Sequence, residues 1–121
     1  METINDTMEI IEQNLMFGKK NTVKRTKLSE LTGLSDRSVR HLIEKLRRKT
    51  KDYVIVSTSS EPGYYKTDNP EEIREYMREQ ASRAKTIFYN LRNAHRILKG
   101  YDANAGFELD FNNIFKELNK M

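Results

Sequence analysis

Between Thr26 and Thr67 the chain sets two short helical patterns around a glycine corner, then two strands joined through Pro-Gly. Leu28 and Leu31 give the first of these helices an inward side, and Thr26 stands where a cap belongs. Gly33 ends it, because a tight corner between helices favours a residue that tolerates positive φ. Leu34 plugs the corner from the apolar side, and Ser35 caps the next helix. That helix buries Val39, Leu42, Ile43 and Leu46, and its opposite face carries Arg37, Arg40, His41, Glu44, Arg47 and Arg48. Tyr53-Val54-Ile55-Val56 is β-branched and aromatic, and Glu61-Pro62-Gly63 turns it back into Tyr64–Thr67. Tyr64 and Tyr65 alternate faces, so one is expected in the core and the other at the surface.

The flanking segments are helical. Ile4, Met8, Ile11 and Leu15 predict an amphipathic helix from Ile4 to Phe17 with Gly18 as its C-cap. Residues 21–25 read as a loop or a short first strand. Asn69-Pro70-Glu71-Glu72 is a strong helix start, with a cap, a proline at the first position and acids on the positive end of the dipole. The helix that follows is expected to reach Lys99, about 45 Å at ~1.5 Å per residue. Ile73, Met77, Gln80, Ala84, Ile87, Leu91, Ala94 and Leu98 form a heptad seam along it, widened by Tyr76, Ala81, Phe88 and Ile97. A preceding domain of this size cannot cover so long a face, so part of it is expected to pack on Ile4–Leu15 and the rest, through Ile73, Met77, Ala84, Ile87, Leu91 and Leu98, to hold a homodimer together; the alternative is a helix folded wholly onto its own domain with help from the tail. After a link from Gly100 to Gly106, Phe107, Phe111, Ile114, Phe115 and Leu118 form a last amphipathic segment. It either closes an internal or dimer core or docks a protein partner. The expected organisation is a domain over residues 1–69, a dimerisation helix over 70–99, and a link with a short segment over 100–121.

Charge is concentrated where the helical corner lies. The chain carries a net +4, but residues 24–69 alone hold eleven lysines and arginines against six acids. Mean hydropathy is −0.83, and no run approaches the roughly 18 apolar residues of a membrane span. The N-terminus lacks the pattern of a signal peptide, so a cytoplasmic protein is expected. There is no cysteine, and His41 and His95 stand far apart without companions. No cofactor or metal is therefore expected. No phosphate-binding glycine loop, catalytic carboxylate pair or nucleophile–base set is present, so an enzyme is not expected.

A helix entering the major groove needs a polar N-terminal turn and donors that reach base edges. Arg37 and Arg40 are the best candidates for guanine, with Ser38 and His41 for single polar contacts. Asp36 is expected to cap the helix, pair with Arg37 or accept from a cytosine amine. Lys24, Arg25, Thr26 and Lys27 cluster at the entry to the first corner helix, where phosphate can be held. Ser35, Lys45, Arg48 and Lys49 extend that phosphate track, and Ser59, Ser60 and Lys66 supply it from the hairpin.

The run Thr32-Gly33-Leu34-Ser35-Asp36-Arg37-Ser38-Val39-Arg40-His41-Leu42-Ile43-Glu44-Lys45-Leu46, then Val54-Ile55-Val56 and Pro62-Gly63-Tyr64-Tyr65, resembles the winged helix-turn-helix of the biotin-repressor type. The resemblance covers about a third of the chain and does not extend past Pro70; no ligase domain follows, so biotin chemistry is not implied. It implies a mainly α fold with a small β-hairpin wing; the long C-terminal helix lies outside the resemblance and is expected from its periodicity alone. The resemblance also implies binding of double-stranded DNA, as in small stand-alone bacterial or phage proteins. The leading expectation is a dimeric transcriptional regulator, a repressor reading a palindromic site with the third helix and the wing. The alternatives are a phage-type replication initiation or organiser protein, and a winged helix that binds a protein partner.

Overall fold

A computed structural model describes residues 4–58, 62–104 and 109–121. The elements in order are α1 (Ile4–Asn14), a 3₁₀ turn (Lys19–Asn21), β1 (Val23–Lys24), α2 (Arg25–Thr32), α3 (Asp36–Lys49), β2 (Val54–Thr58), β3 (Gly63–Thr67), α4 (Pro70–Tyr101) and α5 (Phe111–Leu118). They form two compact units, Met1–Ile73 and Arg74–Met121. The described residues are mainly helical, with one three-stranded antiparallel sheet of order β1-β3-β2.

In the first unit, α1, α2 and α3 pack on one another and α3 meets β2. Met8, Ile11 and Leu15 of the N-terminal segment join Leu28, Val39, Leu42, Ile43 and Leu46 in one core, completed by Val23, Ile55 and Tyr64. Each fully buried aliphatic side chain contributes about 1.5–3 kcal/mol; Ile11, Leu28, Val39, Ile43 and Ile55 are all at zero exposure. Leu34 and Tyr53 lean on this core from its rim.

Several expectations for this unit are corrected. Helix α1 stops at Asn14, short of Phe17, because Met16–Gly18 turns to pair with β3. The Gly18 N–H donates to Lys66 O at 2.9 Å, and the Lys66 N–H donates to Met16 O at 2.8 Å. Gly18 opens the 3₁₀ turn and does not cap α1. Residues 23–24 are indeed a short strand, and the cap position of α2 falls on Lys24, two residues before Thr26. With only two turns, α2 reaches the core through Leu28, while Leu31 lies 45% exposed. Tyr64 and Tyr65 are both buried, each at 5% exposure, because the sheet is covered on both faces. Tyr64 belongs to the helical core, whereas Tyr65 pairs across the strands with buried Val56 on the other face.

Two glycines carry backbone requirements. Gly33 adopts φ 72° at the end of α2, and its N–H donates to Ser29 O at 2.8 Å. Gly63 lies where β1 crosses closest: a Cβ there would sit 2.6 Å from the Val23 carbonyl oxygen. Glycine thus sets the approach of β1 to β3, beyond its role as a turn residue.

Helix α4 starts as expected. Asn69 Oδ1 accepts from the Glu71 N–H at 2.9 Å, and buried Thr67 donates to Glu72 at 2.8 Å. The helix continues to Tyr101, two residues past the predicted end.

In the second unit α5 lies antiparallel on α4. The Phe115 ring stacks on Tyr89 at 4.3 Å, Phe111 meets His95 at 6.0 Å, and Met121 lines one shallow pocket with Arg74, Met77 and Arg78. The Arg92 guanidinium spans both stacked rings, 4.9 Å from Phe115 and 5.2 Å from Tyr89. Asp110 caps α5 by accepting from the Asn113 N–H. Phe111 and Phe115 are buried and Ile114 and Leu118 half-buried. Of the two roles expected for this segment, internal packing is the one seen for Phe111 and Phe115, while Ile114 and Leu118 keep part of their surface; Phe107 lies outside the described residues.

Candidate nucleic-acid interface

The amphipathicity of α3 divides it cleanly. Its apolar stripe is locked into the core, which leaves Arg37, Ser38, Arg40, His41, Lys45, Arg48 and Lys49 exposed on the other side. Ser35 caps the helix as predicted: its Oγ accepts from the Ser38 N–H at 3.2 Å and donates to Ser38 Oγ at 3.1 Å. The expected phosphate contact and the expected base contact are thus bonded to each other across the first turn. Arg37, Ser38, His41 and Lys45 rim a groove whose floor is Leu34 and Leu42. Apolar floor and cationic rim together fit the chemistry of a base edge with a methyl group.

At the entry to α2, Lys24, Thr26 and Lys27 are exposed, and the first turn has neither an acid nor a side-chain cap. Arg25 behaves differently. Its side chain is 30% exposed and its Nε lies 3.2 Å from Asp36 Oδ1. Asp36 Oδ2 lies 3.6 Å from Arg40 Nε. The expected partner of Asp36, Arg37, is replaced by two arginines, one from α2 and one a helical turn along α3. The i,i+4 spacing of Asp36 and Arg40 is a signal the sequence carries; the contact with Arg25 depends on the corner geometry.

Arg47 does not belong to the open face where the sequence reading set it. It is half-buried and donates from Nε to Ile55 O at 3.1 Å and from Nη2 to Ser57 Oγ at 2.7 Å, and it pairs with Glu44. Its guanidinium also stands 5.9 Å from the Tyr64 ring centroid. Burial raises the pKa of the Tyr64 hydroxyl, opposed by the charges of Arg25 and Arg47 and a hydrogen bond from Arg25.

Lys66 is committed to another cluster. Its Nζ lies 4.9 Å from the Tyr53 ring centroid and 5.7 Å from that of Phe17, and those two rings meet edge to face. Tyr53 donates its hydroxyl proton to Glu12 at 2.7 Å. The hairpin-tip candidates Ser59 and Ser60 lie outside the described residues.

Along α4, Met77, Ile87 and Leu98 of the heptad seam are 43%, 58% and 46% exposed, and Ile97 beside them is 58% exposed. Ile73, Ala84 and Leu91 are half-buried. Helix α5 takes the neighbouring flank through Tyr89, Arg92 and His95, so much of the seam stays open. Among the described residues no group of three or more metal-ligating side chains converges, and no helix is long and apolar enough to cross a membrane. Comparison with known proteins gives no matching family model, no matching curated protein and no matching solved structure.

Proposed function

We propose that the chain is a winged-helix protein that binds double-stranded DNA sequence-specifically, as a dimeric transcriptional regulator of the repressor kind. The observation that carries this reading is the open face of α3, where Arg37, Ser38, Arg40 and His41 stand exposed over a helix whose other side is rigidly held. Arg37 and Arg40 read guanine, because a planar guanidinium donates twice to O6 and N7. Ser38 and His41 add single contacts. Lys24, Thr26, Lys27, Lys45, Arg48 and Lys49 hold phosphates and fix the register. A second copy covers Ile87, Leu91 and Leu98, and the paired reading heads meet a palindrome with half-sites about 34 Å apart or a multiple of that.

Selection of bound duplexes from a random-sequence pool tests this reading. It predicts enrichment of an inverted repeat. Recovery of no motif, with no gel retardation of any duplex at low salt, contradicts it and favours a protein partner for the same face.

A further inference from the structure

We propose that Asp36 is the residue that makes α3 selective, acting as a positioning residue for Arg40. The inference rests on the DNA-binding reading above and names the source of its discrimination.

Three observations converge on it. Ser35 already supplies the cap of α3, so the Asp36 carboxylate is not consumed by the helix end. Its two oxygens are divided between two guanidinium groups, Oδ1 toward Arg25 and Oδ2 toward Arg40. The two arginines differ in freedom: Arg25 is 30% exposed, and its backbone N–H donates to Pro62 O at 3.1 Å, whereas Arg40 is 56% exposed. Asp36 is thereby ion-paired on one side with the first residue of α2, whose backbone is tied to Pro62 while its Nε makes no hydrogen bond, and on the other it faces the open arginine.

The chemistry follows from donor counting and charge. At 3.6 Å the Asp36–Arg40 contact is a charge pairing and not a hydrogen bond, so all five N–H donors of the Arg40 guanidinium stay available to a base. An exposed ion pair of this kind is worth little in water, at most about 1 kcal/mol. Its effect is to narrow the directions Arg40 can take, which lowers the entropic cost of a bidentate contact. The same carboxylate repels phosphate. If Arg40 turned away from a mismatched base toward the backbone, Asp36 would be left facing like charge. Asp36 thus favours the matched duplex and disfavours the rest, the two halves of specificity.

The test uses the full chain, a duplex recovered by selection and a scrambled duplex of equal length, with affinities measured over a range of salt. Asp36→Asn keeps the side chain's size and removes its charge. It is expected to bind the scrambled duplex several-fold more tightly and to lower the ratio of the two affinities about tenfold, the scale of one bidentate base contact. In an Arg40→Ala background the same change is expected to raise scrambled-duplex affinity while leaving the ratio unaltered. Thermal melting of each variant, read by circular dichroism, separates this from loss of fold, since a purely structural role would not tighten binding to any duplex. An unchanged ratio in Asp36→Asn overturns the inference, as does an equal fall in the Arg40→Ala background. Wild-type protein that retards no duplex overturns the DNA reading and this inference together.

Discussion

Arg47 Nη2 donates to Ser57 Oγ at 2.7 Å, which fastens the C-terminal half of α3 to the edge strand β2. With the bond from Nε to Ile55 O, this fixes how the helix stands relative to the hairpin. Arg47 is therefore a structural arginine amid exposed ones. Arg47→Ala is expected to lower the unfolding free energy by about 2 kcal/mol, the scale of losing charged hydrogen bonds at a part-buried site. Urea denaturation measures it, and a loss below about 0.5 kcal/mol, the level of a surface substitution, would show that the bonds are not formed.

Alkaline pH probes the Tyr53–Glu12 bond. Burial first, then the hydrogen bond and charge of Glu12, raise the Tyr53 pKa well above its ordinary value. The folded chain thus keeps a proton that the unfolded chain releases near pH 10. Stability from this group is complete below about pH 10 and is lost as pH rises beyond it. Tyr53→Phe is expected to flatten the decline in unfolding free energy between about pH 9 and 11. Some slope remains, since the Tyr64 pKa is raised as well. An identical slope in wild type and variant would contradict the assignment.

Much of this architecture is legible before any coordinates. The Ser35 cap, the Gly33 corner, the core stripe of α3 and the Asn69-Pro70 start of α4 are all local signals, decided within one or two turns. What escapes the sequence is decided at long range. Helix α1 ends early because Met16–Gly18 finds a hydrogen-bonding partner in Lys66, about fifty residues away. Arg47 lies at a helical position that periodicity assigns to solvent, yet β2 offers it a carbonyl and a hydroxyl. Tyr65 is buried because the sheet is covered on both faces, which alternation along one strand cannot reveal. Of the candidate interface, the exposed cations of α3 follow from its period, whereas the sharing of Asp36 between two arginines requires the corner to be built.

The open seam of α4 predicts self-association. Ile87 is 58% exposed and is followed along the same face by Leu91 and Leu98. Ile87→Glu is expected to convert a dimer to a monomer in sedimentation equilibrium while helicity is kept. A monomeric wild type at micromolar concentration would remove the dimer from the proposal.

Cations at the two ends of the interface are expected to behave differently. Lys27, exposed in the first turn of α2, faces phosphate in the proposed complex. Lys27→Ala is expected to weaken binding to all duplexes alike and to reduce the salt dependence by about one counterion. Arg37→Ala is expected to cost about 1–3 kcal/mol on the selected duplex and far less on a scrambled one. Competition titrations at several salt concentrations distinguish the two patterns. A uniform loss for Arg37→Ala would make it a phosphate contact.

The most direct measurement is a backbone amide NMR titration of the full chain with a duplex carrying a selected site. The proposed interface predicts the largest shifts at Arg37, Ser38, Arg40 and His41, with smaller ones at Lys24–Lys27 and little change at Glu12, Phe17 and Tyr53. Shifts confined to α4 and α5, or no shift at α3 at saturating duplex, would contradict it.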